Sequence, residues 1–402
     1  MSTPTSAAPI TGPGPGPADA ITAARALTPA LAARAERHDR DGSFPVEDFA
    51  DIRTAGLLGV MVPARLGGVG AGFADYAEVA MALGTGNGAT ALVFNMHASV
   101  TGALAGTPAD LARALGVPES FFAMRDRVLA AAAAGAFYAV AMSERGAGSK
   151  LSQVATTYEP EDDGWRIRGH KTFCSGAGHA DAYLVAARSL DGERVSQFLV
   201  PAGAGVTVEP TWDSLGMRAT GSHDLHIDVL APADSLLGGV EGLALLLAQV
   251  MPQWLVASYA AVYVGVAQAA LDAATAYVEQ RGLGRLPAVR ARIGRADARV
   301  GAARLAVLEA ARRVDAAPGE PETNRWVWRA KLLAGETAME VAASLLEAAG
   351  TAASRRGHPL ERIFRDARCG SLQPATSDVC ADWLGLAALG RDPENDAEVQ
   401  RW

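Results

Sequence analysis

Ala141-Met142-Ser143-Glu144-Arg145-Gly146-Ala147-Gly148-Ser149 and, further on, Gly169-His170-Lys171-Thr172-Phe173-Cys174-Ser175 lie at the heart of the chain's middle third. The first stretch sets hydroxyls beside small residues, a composition that lets a backbone approach another group closely. The second closes a run, Trp165–Ser175, with the β-branched and aromatic character of a strand. Similar short runs lie around it: Val154–Glu159, Tyr183–Arg188, Gln197–Val200, Val206–Glu209 and His223–Val229. Turn clusters such as Glu161-Asp162-Asp163-Gly164 and Asp191-Gly192 separate them. Closely spaced strands of this kind predict an antiparallel β domain, placed at residues 138–237.

Helical periodicity holds on both sides. Ala20 to Arg37 reads as an amphipathic helix. Phe44-Pro45 opens a second, Val46–Ala55, which stops at Gly56. After the glycine-rich loop Pro63–Gly72, helical pattern resumes over Phe73–Leu83 and Ala89–Leu104, giving an α-helical domain at residues 21–137. Beyond Gly238, Ile293, Ala296, Val300, Ala303, Val307 and Ala310 form one apolar stripe, with Arg295, Arg299 and Arg313 off it. Asp315–Glu322 reads as a loop and Asn324–Ala349 as the next long helix, so residues 238–402 are expected to form a helical bundle.

Half of the 402 residues are hydrophobic, enough for a sizeable core in two or three packed units. The net charge of −8, with Lys and Arg dispersed, argues against nucleic acid as a partner. Met1 to Ala20 is Pro/Gly-rich and uncharged before Asp19; it is expected to be a disordered tail rather than a secretory signal. No unbroken apolar run of about 18 residues is found, so no membrane span is expected. Cys174, Cys369 and Cys380 form no CxxC pair, which fits a reducing, cytoplasmic setting without a zinc site or disulfide framework. His170, His179, His223, His226 and His358 lack ligand spacing in a helix register, and His223 and His226 do not alternate as a strand pair would. No metal is expected.

Four segments in this order resemble the acyl-CoA dehydrogenase superfamily across roughly Phe44–Gly390. They are Phe44–Gly70, Ala141–Ser149, Gly169–Ser175 with Leu215-Gly216-Met217-Arg218-Ala219-Thr220, and Phe364-Arg365-Asp366-Ala367-Arg368. The resemblance implies an α+β fold: an N-terminal α domain, a central antiparallel β-barrel or sandwich and a C-terminal four-helix bundle. It further implies a flavoprotein that assembles as a homodimer or homotetramer. FAD is the expected cofactor, with Met142, Ser143, Ser149, Phe173, Ser175 and Thr376 about its ring and Phe173 stacked on it. Arg281 matches an arginine that reaches the pyrophosphate of a neighbouring subunit. Gly350 lies in the segment Glu347–Thr351, where the family usually has Gln-x-x-Gly-Gly; the acid there makes FMN, or flavin supplied by a partner reductase, an alternative. Lys150 replaces the family's acid and is read as solvated, and Arg218 either lines the site or pairs with a nearby acid.

The family's base is absent. In most relatives it is a glutamate eight residues after the Asp of Arg-Asp-Ala; here that count from Asp366 reaches Pro374, which has neither a carboxylate nor an N–H. The alternative family position falls on Leu255. Three readings follow. The leading one is oxidation of an acyl group carried as a coenzyme A or carrier-protein thioester, with Asp378 as a relocated base and electron-transfer flavoprotein as acceptor. The second is a two-component flavin monooxygenase acting on a small secondary metabolite, which needs no such base; His97 is its candidate proton donor. The third is a flavin-binding protein without redox chemistry.

Overall fold

The computed structural model describes residues 16–254 and 256–393. Most of the expected tail, and Leu255, lie outside the described residues. Pro17–Ala20 depart from the tail reading, because they form the first turn of α1 (Pro17–Asp41). Proline suits a first helical position, Asp19 accepts the Gly16 N–H at 2.9 Å, and Ala20 and Ala24 are buried.

Five further helices precede the sheet: α2 (Val46–Thr54), α3 (Phe73–Gly86), α4 (Gly88–Ala105), α5 (Ala109–Ala114) and α6 (Glu119–Ala133). The strands are β1 (Tyr138–Ala141), β2 (Thr157–Glu161), β3 (Gly164–Cys174), β4 (Ala182–Ser189), β5 (Val195–Pro201), β6 (Val206–Glu209) and β7 (His223–Pro232). Then come α7 (Leu243–Val250), α8 (Ala257–Gln280), α9 (Pro287–Ala316), α10 (Pro321–Ala349), α11 (Pro359–Arg368) and α12 (Ser377–Ala388).

The sheet is mixed rather than purely antiparallel. β1 and β2 occupy successive stretches of one edge of β4, both parallel to it, and β5 pairs with the other edge antiparallel. From β2 the order continues antiparallel through β3 and β7 to the edge strand β6. The parallel pair goes unseen in the sequence because β1 is only Tyr-Ala-Val-Ala, and alanine carries little strand signal.

α8, α9 and α10 pack together with the shorter α11 and α12, and α3 lies against α8. The contact between α3 and α8 is close enough to require glycine on both sides. A Cβ on Gly84 would stand 2.7 Å from the Val262 carbonyl oxygen, and one on Gly265 would stand 2.4 Å from that of Met81. The stripe on α9 faces the core as its period predicts, with Ala296, Val300, Ala303, Val307 and Ala310 buried. The segment Pro252–Gln280 is long and apolar enough to cross a membrane, but 82% of its most apolar window is buried within the fold. Its hydropathy therefore serves the core of the bundle.

α4 is buried on nearly every side, and His97 pins it to both neighbours. The Nε2–H of His97 donates to the Leu58 carbonyl at 2.7 Å, while Nδ1 accepts the Tyr138 N–H at the start of β1 at 3.1 Å. That pair of bonds requires the neutral ring, and burial pushes its pKa down to about 4. In the unfolded chain the imidazole titrates near its ordinary 6.5. Between those values the unfolded chain takes up a proton that the folded protein refuses. The contribution is therefore intact above pH 6.5 and falls by up to roughly 3 kcal/mol as pH drops toward 4. Denaturant melts of the protein and of His97→Gln at pH 7, 5.5 and 4.5 should show the variant losing less stability on acidification. Parallel slopes would contradict this account.

Candidate active site

The loop that opens this site hangs on one buried ion pair. Lys171, on the inward face of β3, is fully buried and lies 2.6 Å from the Glu144 carboxylate. That carboxylate also accepts the backbone N–H groups of Ala155 and Thr156 at 2.5 and 3.0 Å. Burial opposes its ionisation, but the Lys171 charge and these donors outweigh the burial and hold the carboxyl below its ordinary range. Loop 142–149 is thereby fixed over the end of β3, where Thr172 N–H donates to the Ser143 carbonyl at 2.9 Å.

Just beyond, the register of β3 against β7 slips between Lys171 and Cys174, and Phe173 takes a positive φ of 56°. The bulge turns the ring outward, leaving Phe173 64% exposed, with Trp212 packed edge-to-face at a centroid distance of 5.8 Å. An exposed aromatic of this size at the mouth of a cavity is a ready stacking surface. Behind it runs a chain of hydroxyls. Thr220 Oγ1 donates to the Met217 carbonyl at 2.9 Å, Ser222 stands 2.6 Å from Thr220, and Ser175 stands 2.8 Å from Ser222. Each hydroxyl has one proton, so Ser175 donates inward and keeps its lone pairs free to accept from a ligand.

The opposite wall is the segment after α11. The fully buried Lys331 of α10 donates to the carbonyls of Gly370, Gln373 and Ala375 at 2.9, 3.1 and 2.9 Å. Burial pulls its pKa down to about 8. Asp366 binds the Met217 N–H at 2.6 Å, and Arg365 clasps Asp39 at 2.6 and 2.9 Å. The Arg-Asp motif thus ties α11 to α1 and to the loop that carries Met217. Gly216 is obligatory there, since a Cβ would stand 2.2 Å from the Arg365 carbonyl oxygen.

These walls enclose a cavity of about 510 Å³. Met142, Ser143, Ser149, Phe173, Ser175 and Thr376, named from the sequence, all line it, as does Pro374. Leu92, Met96, Trp212, Met217, Tyr259 and Gln373 join them. Trp212 and Tyr259 carried no local motif; only the packing of their loop and helix beside β3 brings them in. The residues present fit a flavin: an open aromatic face, accepting hydroxyls, and the buried Oε1 of Gln373, which has no partner.

Neither catalytic candidate lies on the cavity wall. His97 does not line the cavity, because backbone groups occupy both ring nitrogens. Asp378 is an exposed residue in the first turn of α12, where its charge suits the helix N-terminus, and it too is outside the cavity. Among the residues lining the cavity there is no carboxylate and no histidine. Arg281 and Gly350 also lie outside it, capping α8 and α10. The buried cluster of Val278, Val289 and Ala348 gathers both caps at one end of the bundle. Glu347 points its charge at Arg292, 2.5 Å away. Arg218 pairs locally with Asp213 at 2.8 Å.

Fold and pocket together define a flavoprotein of the acyl-CoA dehydrogenase type. The chain belongs to that superfamily: residues 21–116, 139–230 and 257–376 match the family's N-terminal, middle and C-terminal domains. It is 32% identical to L-evernosamine nitrososynthase of a Micromonospora species over 92% of this chain and 90% of that one. The structure of KijD3 with FMN and dTDP-3-amino-2,3,6-trideoxy-4-keto-3-methyl-D-glucose superposes with a TM-score of 0.82 at 30% identity, covering 97% of each chain. FMN-bound TdsC of Paenibacillus sp. A11-2 gives 0.80 at 26% identity, covering 92% of this chain and 97% of TdsC. TdsC is a dibenzothiophene monooxygenase.

Lys331→Met keeps the length of the side chain and removes all three donors to the pocket wall. Melting should show a loss of about 3 kcal/mol or more, with faster hydrogen exchange confined first to residues 370–376. Unchanged exchange there would mean that the wall is held by other contacts.

Proposed function

We propose that this protein is a flavin-dependent monooxygenase that transfers one oxygen atom to a nitrogen or other heteroatom of a small metabolite, rather than an acyl-thioester dehydrogenase. The observation that carries the reading is the lining of the cavity. Removal of an α-proton needs a carboxylate beside the flavin, and Pro374 stands at the family position with no acid elsewhere in the wall. Reduced flavin bound there would supply the two electrons that split O₂ into a transferred oxygen and water.

The chain's residues supply the rest. Leu92, Met96, Val140 and Leu151 make the interior apolar and exclude water, which protects oxygen chemistry from side reactions. With a flavin bound, Ser175 would be placed to accept a hydrogen bond from its edge and Phe173 would offer its ring to a face. Tyr259 keeps its proton, because burial raises its pKa to about 12. Among the described residues its hydroxyl meets only the Met96 sulfur, at 3.9 Å, so it can donate to a substrate instead. The relatives with FMN, and those acting on amino sugars, support FMN as the first cofactor to test and a nucleotide-linked amino sugar as the first substrate class. Reduced flavin would come from a separate reductase.

The test uses FMN-loaded protein in two arms. Anaerobic mixing with short- and medium-chain acyl-CoA thioesters should leave the flavin absorbance unbleached. Reduced protein mixed with ¹⁸O₂ and a dTDP-3-amino sugar should yield a product heavier by one ¹⁸O atom. Bleaching by any thioester would overturn the proposal and restore dehydrogenation.

A further inference from the structure

Outside the pocket, the face of the sheet turned away from Lys171 carries a second group of chemistry-bearing side chains. His170 on β3 and His226 on β7 are registered cross-strand partners. Their rings stack with centroids 4.3 Å apart and planes within 5°. Glu209, on the edge strand β6, stands with its Oε2 2.7 Å from His226 Nε2 and 3.9 Å from His170 Nε2. Asp224, on β7, places Oδ2 3.2 Å from His170 Nε2. We propose that His170, His226 and Glu209, whose ligand atoms all lie within 4.8 Å of one another, form a binding site for one divalent transition-metal ion such as Zn²⁺ or Co²⁺, with Asp224 beside them.

Hydrogen bonding within the group leaves it incomplete. One proton serves the contact between His226 and Glu209. Asp224 is served by Arg145 at 2.8 Å. The Nε2 of His170 is then shielded from solvent without a hydrogen-bond partner, because its approach to Asp224 has the wrong angle for one. A metal ion instead uses the lone pairs of both Nε2 atoms at once.

The donor set selects the ion. Two imidazoles and a carboxylate, with a fourth position left for water, suit zinc-like ions, not the all-oxygen preference of calcium or magnesium. Tetrahedral bonds of about 2.0–2.2 Å separate donors by roughly 3.3 Å. The observed spacings of 2.7, 3.2 and 3.9 Å bracket that value, and binding turns the two stacked rings out of parallel so that their Nε2 lone pairs converge on the ion. Charge agrees: the two carboxylates outweigh Arg145, while the nearby Arg168 is engaged by Asp228 at 3.4 Å and Glu159 at 3.1 Å. An ion there would clip β3, β7 and the four-residue edge strand β6 together. β6 leads into the loop bearing Trp212, and Arg145 belongs to loop 142–149, so the clip would brace two loops of the flavin cavity.

The measurement is a titration of tag-free, chelator-stripped protein with Co²⁺, read by visible absorption, and with Zn²⁺ by calorimetry. About one ion per chain should bind. His226→Ala, His170→Ala and Glu209→Gln should each weaken binding at least tenfold, while His358→Ala, remote from the group, should leave it unchanged. Saturating Zn²⁺ should raise the melting temperature of the parent and not of His226→Ala. Circular dichroism establishes that each variant is folded. No uptake by the parent, or equal uptake by the His170 and His226 variants, would overturn the site. Neither readout depends on flavin or on activity.

Discussion

The buried pair of Lys171 and Glu144 is the constraint on which the rest of the site depends. A lysine with no exposed surface is tolerated only because a carboxylate stands 2.6 Å away and two backbone N–H groups complete that carboxylate's shell. Breaking such a pair from one side costs about 3–5 kcal/mol, because the partner is left charged and buried. Here the same contacts also set geometry. They hold loop 142–149 against β3, and the bulge that follows Lys171 throws Phe173 outward. Phe173 and Ser175 therefore stand together at the end of β3, beside the hydroxyls of loop 142–149.

The opposite wall repeats this logic with a different partner. Among the described residues Lys331 meets no carboxylate; three backbone carbonyls converge on its ammonium group. That arrangement shapes a turn while adding no negative charge to the cavity. In a dehydrogenase the same turn would have to present a base. Here it presents Pro374, Gln373 and Thr376, and the cavity between the two lysine-held walls is lined by apolar side chains, hydroxyls and one amide, with no acid among them. The two walls rest on different segments: the residues expected about a flavin ring stand on β3 and its neighbouring loops, and Pro374, at the expected base position, stands on the turn after α11.

The amino-acid sequence by itself determined the succession of helices, strands and helices, since the periods of 3.6 and 2 are local properties. It also marked Met142, Ser143, Ser149, Phe173, Ser175 and Thr376, which short motifs carry. It established that no glutamate stands at Pro374, because that is a matter of counting. Residues whose role is set by partners far along the chain needed the tertiary structure. His97 resembled a proton donor until the carbonyl of Leu58 and the N–H of Tyr138 were seen to hold its ring. Asp378 resembled a relocated base until α12 placed it in an exposed first turn. Trp212 and Tyr259 became pocket residues, and His170 and His226 became neighbours, only through strand register and helix packing. The physical reason is the same throughout: sequence fixes what a side chain can do, whereas burial and the nearest polar atoms, which come from distant segments, decide what it does.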